Sequence, residues 1–189
     1  TDTELARMST DQNGYASVYV VPGSYYLKEI STWDGYTILT DKIMIEDAKY
    51  AQVYTFRLTN SFSELKVCKE SISGTPLAGM EFAISTLDGQ PVPVVYDEAS
   101  HAYIAAGKYE QTNGKAEAVP VTGENGEVLI QGLPEGSYVI TETKAPDGYR
   151  MDASPKTAVI TEASSGKEAA VVTLVDSLVT VKTGETDGD

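Results

Sequence analysis

The run GLPEGSYVITETKAPDGY, Gly132 to Tyr149, decides how the rest of the chain is read. A Leu-Pro-Glu-Gly turn leads into an alternating segment that sets Tyr138, Ile140 and Glu142 on one face, and Ala-Pro-Asp-Gly ends it. Pro presets φ and Gly accepts positive φ, so both ends are turns, while the alternation is that of a half-buried strand. The parity sends Glu142 toward the apolar side, where a carboxylate is costly unless neutral or partnered. A register slipped by one residue would put Glu142 in solvent instead.

Length and composition set the frame around that run. The 189 residues allow one large or two modest domains. Sixteen Gly, eight Pro and twelve Tyr, with many Val and Thr, favour short strands and turns, and no long stretch carries a helical period. The fold class is all-β. A net charge of −14 argues against nucleic acid and anionic membrane as partners, because both require a basic footprint. No apolar run is long enough for a membrane span, and the N-terminus lacks a basic-plus-apolar leader, so any export signal or anchor is expected outside this chain. Cys68 is the single cysteine, which excludes an intrachain disulfide and a multi-cysteine metal site. His101, the single histidine, leaves a serine-type triad or a histidine-rich zinc site without its parts. No cofactor or metal is expected.

Taken in order, residues 1–61 contain a turn at Asn13-Gly14, a strand expected at 16–20, a weaker copy of the organising run at 21–36 and a closing strand expected at 55–60. The second copy follows at a nearly constant offset: Asn125-Gly126 matches Asn13-Gly14, Gly136-Ser137-Tyr138 matches Gly23-Ser24-Tyr25, Glu142 matches Glu29, and Asp147-Gly148-Tyr149 matches Asp34-Gly35-Tyr36. Repeats of this length are tandem domains rather than solenoid units. Residues 62–182 read as a complete domain, with strands expected at 63–70, 80–86, 91–97, 101–107, 127–133, 156–163 and 169–176, a polar excursion at 108–126, and a linker-like tail at 183–189. The first copy has no counterpart of the strand at 63–70. It is therefore expected to be incomplete at its N-terminus, its opening strands cut away or carried by a separate fragment, a neighbouring domain or a second copy.

The organising run resembles the E-box (YxLxETxAPxGY) of the Cna B-type, or SpaA-like, domains of Gram-positive pilins and surface adhesins. The resemblance implies tandem Ig-like or prealbumin-like β-sandwiches. In many such domains a Lys and an Asn or Asp form an isopeptide bond unaided by another protein, assisted by the E-box Glu. The family places the amine eight residues before the Leu of a Leu-Ala-Gly motif, here Leu77-Ala78-Gly79, which selects Lys69 over Lys66. Strand parity agrees, since Lys69 continues the series Leu65, Val67; taken alone, Lys69 could equally end its strand and reach solvent. The acceptor is expected on the last strand, where Asp176 continues Val172 and Leu174, although a strand-end Asp at the surface is the commoner case. The first copy offers Glu29 as the acid and Asn60 as the acceptor, with no lysine partner in this chain.

Burial favours the neutral forms of an amine and a carboxyl alike, so Lys69 would attack as a free amine while Glu142 relays protons and water leaves. The leading expectation is a structural stalk of a pilin or cell-wall adhesin, extracellular on a Gram-positive surface, making neighbouring-domain contacts and performing one intramolecular reaction rather than enzymatic turnover. The alternative is a module that binds a host protein or glycan through residues 90–120, with Tyr96, Tyr103 and Tyr109 as candidates. A hydrolase would need Glu142 and Asp176 open in a cleft.

Overall fold

Period-two alternation becomes strand wherever a neighbouring strand exists to complete the ladder. The computed structural model describes residues 2–107 and 109–179, and packing divides the chain into two units, Thr1–Glu29 with Leu39–Leu58, and Ile30–Ile38 with Thr59–Asp189. The expected tail at 183–189 lies outside the described residues.

In the first unit, β1 (Gly23–Leu27) pairs antiparallel with β2 (Ile43–Ala48). The second strand was not foreseen from sequence, because Glu46 and Asp47 interrupt its apolar alternation. Residues 16–20, expected as a strand, are exposed and unpaired, and so is most of the stretch 55–60. Their β-prone composition does not suffice, since a strand is stabilised by ladder bonds and by one covered face. At the start of β1, the Tyr25 hydroxyl donates to the Val21 carbonyl at 2.6 Å. The repeat is visible here, because the Tyr138 hydroxyl donates to Pro134, also four residues back, at 2.8 Å.

The second unit is a sandwich. One sheet has the order β10 (Lys156–Ile160), β8 (Gly136–Lys144), β4 (Glu81–Thr86). The other has the order β5 (Val94–Asp97), β6 (Ala102–Ala105), β7 (Glu127–Gln131), β3 (Glu64–Ser71), β11 (Ala170–Leu178), β9 (Tyr149–Arg150). The core between them is built from inward positions of both, among them Leu65, Val67, Phe82, Ile84, Ile130, Ile140, Ile160 and Leu174. First and last long strands are neighbours: β3 and β11 run parallel, with Leu174 beside Lys69 and Asp176 beside Ser71.

Residues 30–38 belong to this second unit. Tyr36 stacks on Phe62 at 4.7 Å between centroids, and Tyr109 meets Phe62 edge-on at 4.8 Å. The Tyr109 hydroxyl donates to the carbonyls of Gly132 and Asp34, at 2.5 and 3.0 Å. Gly35 lies against this hydroxyl at φ +81°, and a Cβ there would sit 1.7 Å from it. Only glycine fits.

Candidate functional site: a buried lysine between two carboxyls

Three elements bring three ionisable groups into one dry place. On β3 the residues Leu65, Val67 and Lys69 alternate inward, and Lys69 is 1% exposed. Its backbone is fastened on the side away from β11: Lys69 N–H donates to Gly126 at 2.7 Å, and Leu77 N–H donates to the Lys69 carbonyl at 2.9 Å. The spacing from Lys69 to Leu-Ala-Gly thus has a physical basis, since Leu77 is the residue that closes this bond. Gly126, at φ +71°, permits the approach, as a Cβ would stand 2.5 Å from the Lys69 carbonyl oxygen.

Glu142 comes from the opposite sheet. Tyr138, Ile140 and Glu142 are all buried on β8, and Glu142 is 3% exposed. Asp176, at 2% exposed, follows Val172 and Leu174 along β11. Lys69 Nζ lies 2.5 Å from Asp176 Oδ1 and 2.9 Å from Glu142 Oε2. A second donor reaches Asp176 Oδ1, the backbone N–H of Asp152 at 3.2 Å. The other oxygen of each acid, Glu142 Oε1 and Asp176 Oδ2, is buried without a hydrogen-bond partner among the described residues. Burial raises the Glu142 pKa; hydrogen bonding and charge from Lys69 pull it down, the nearby Asp176 carboxyl pushes it up again, and the net direction is upward.

The arrangement places an amine in contact with a carboxyl, with an acid beside both and water shut out. These are the conditions under which an amine and a carboxyl can condense. The two carboxyls do not face a cleft, which removes the geometry a glycoside hydrolase requires.

The remaining candidates are dispersed. Glu29 accepts from the Leu39 N–H at 2.6 Å within the first unit. Asn60 belongs to the second unit, where its side-chain amide donates to the Thr37 carbonyl at 2.9 Å. Cys68 points away from the lysine pocket and is partly exposed, and burial raises its thiol pKa. His101 is exposed. Of the tyrosines in the 90–120 stretch, Tyr109 is core; Tyr96 and Tyr103 form a tilted cross-strand pair at 5.1 Å. No group of metal-ligating side chains occurs among the described residues. Sequence reasoning missed the Asp152 N–H, a backbone donor with no side-chain signature, and read Asn125-Gly126 as a repeat marker rather than the support beneath Lys69.

The model of the SpaA prealbumin-like fold domain matches residues 1–60 and 63–174. The chain belongs to this family. The two matched stretches lie close to the two copies of the repeat read in the sequence, 1–61 and 62–182. Among solved structures, GBS52, the minor pilin of Streptococcus agalactiae, is 20% identical with a TM-score of 0.50, over 95% of this chain and 70% of that one. The Bacillus anthracis TIE protein is 23% identical with a TM-score of 0.45, over 91% of this chain and 28% of that one. A streptococcal ancillary pilin is 24% identical with a TM-score of 0.43, over 85% of this chain and 43% of that one. This SpaA-like chain thus spans little more than a quarter of the Bacillus anthracis protein. No curated protein matches it at a significant level.

Proposed function

We propose that this chain is a structural segment of an extracellular pilin or adhesin stalk of a Gram-positive bacterium, stiffened by an isopeptide bond between Lys69 and Asp176. The observation that carries the reading is the contact of Lys69 Nζ with both carboxyls, all three side chains being sealed from solvent. A charged lysine between two acids is an expensive way to fill a core. Joined as a neutral amide, Lys69 and Asp176 no longer carry that cost.

The balance of the reaction follows from the contacts. Neutral Lys69 Nζ attacks Cγ of the Asp176 carboxylic acid, and the C=O electron pair moves onto oxygen. Glu142 takes a proton from the nitrogen at Oε2 and returns one from Oε1 to the departing hydroxyl. One C–N bond forms, one C–O bond breaks, water leaves, and Glu142 ends as it began. The reaction occurs once per molecule and needs no cofactor.

For the first unit, whose described strands are β1 and β2 and whose Tyr15, Tyr19 and Tyr50 are exposed, we propose completion by further strands from a neighbouring domain or a separate fragment. Binding of a host protein or glycan through residues 90–120 remains the alternative, weakened because Tyr109 is spent on the core.

Intact mass separates these ideas. Wild-type protein should weigh one water less than its sequence, and Glu142→Ala should keep the full mass. A wild-type chain at full sequence mass would remove the cross-link from the account.

A further inference from the structure

The run that supplies Glu142 does not stop there. After β8 it turns through Ala145-Pro146-Asp147-Gly148 and joins the other sheet as β9, where Tyr149 and Arg150 pair with Leu178 and Ser177 of β11. The Val179 N–H bonds to the Gly148 carbonyl at 3.1 Å and fastens the junction. This pairing carries the next residues across the end of β11, and Asp152 aims its N–H at Asp176 Oδ1. One continuous segment therefore supplies two groups near the Asp176 carboxyl, an acid from β8 and a backbone donor from beyond β9. The Asp152 side chain is occupied elsewhere, its carboxylate capping the Ser154 N–H at 3.0 Å, which fixes the local turn.

We infer that the Asp152 backbone N–H is the oxyanion donor of the cross-linking reaction, holding Asp176 Oδ1 so that Oδ2 is the oxygen that departs as water. The inference rests on the Lys69–Asp176 condensation proposed above. Attack at Cγ loads negative charge onto the oxygen that stays, and a fixed N–H in a dry site stabilises that charge without having to reorient. Oδ1 is the oxygen so held. Oδ2 has no donor of its own and, like Glu142 Oε1, lacks a partner; Oδ2 carries the hydroxyl of the acid, and a proton passed to it from Oε1 turns it into the departing water. After the reaction Oδ1 is the amide oxygen and the Asp152 N–H remains its donor.

The test removes the N–H alone. The full chain is made by cell-free translation with aspartate at position 152, or with malic acid, its α-hydroxy counterpart, which keeps the side chain and turns that amide into an ester. Cross-linking is followed by mass, and folding by resistance to protease. The ester chain, as protease-resistant as the aspartate chain, should cross-link about a hundredfold more slowly than that wild-type chain. Equal rates in the two chains would overturn the inference while leaving the cross-link standing; no mass loss in wild type would instead overturn the cross-link. If the ester chain does not fold, amide exchange decides. In cross-linked wild type the Asp152 proton should exchange slowly and lose that protection in Asp176→Ala, whereas rapid exchange in wild type would refute the bond.

Discussion

A carboxyl that must hand on a proton is useful only while it has one. Burial raises the Glu142 pKa, so the protonated form persists to higher pH than in a free glutamate. Before the bond forms, this contribution to folding is complete below the ordinary value of about 4.3 and is lost as pH rises through the elevated one. The cross-linking rate of freshly folded chains should therefore decline as pH rises through that elevated value. Glu142→Gln keeps the shape but cannot relay protons; it should slow the reaction by roughly 10² to 10⁴-fold and flatten the pH profile, as read by mass against time. Lys69, Glu142 and Asp176 were legible in the sequence because the family resemblance pointed to their positions and a strand period of two put all three on inward faces; parity alone left Lys69 and Asp176 free to reach solvent. That rule is blind to backbone donors, which is why Asp152 stayed hidden.

Among the elements, the strands of the second unit other than β9 could be read because each is flanked by turn residues and meets a partner; β9 stayed hidden behind the turn Asp147-Gly148, since two residues carry no alternation. β2 could not, since its place is set by β1 rather than by its own alternation, and residues 16–20 show the converse, an alternating run that stays unpaired. The packing of residues 30–38 was invisible for a related reason: Asp34-Gly35-Tyr36 reads as a turn, while its neighbours Phe62, Tyr109 and Gly132 are distant in sequence. This contact makes two predictions. Gly35→Ala brings a Cβ into the Tyr109 hydroxyl and the Gly132 carbonyl at a positive φ, and should destabilise the second unit by about 3 kcal/mol or more in denaturant titration. Burial pushes the Tyr109 hydroxyl up to about 12. A raised pKa means that its contribution is whole below the unfolded value near 10 and is lost as pH climbs from there through the folded one. The loss should approach roughly 2–3 kcal/mol. Tyr109→Phe should be less stable at neutral pH and should lose correspondingly less between those limits.

For the molecule as a whole, what matters is where the proposed bond sits in the connectivity. Lys69 lies near the end of β3 and Asp176 near the end of β11, and these parallel neighbours hold the first and last strands of the sandwich together. Tension applied to the chain on either side of the second unit loads that pair first, and ladder hydrogen bonds alone would yield there. A covalent link between the two residues takes the load before the ladder does and keeps the intervening chain, which builds nearly the whole core, out of the force path. Single-molecule pulling can read this directly. At about 3.5 Å per extended residue the stretch between Lys69 and Asp176 would release roughly 370 Å. Wild-type chains should never release it, whereas a Lys69→Met, Asp176→Asn double variant, which removes the bond without leaving the lysine's charge buried, should release it in one cooperative step. Wild-type traces containing that step would mean that the strands are held by their ladder alone.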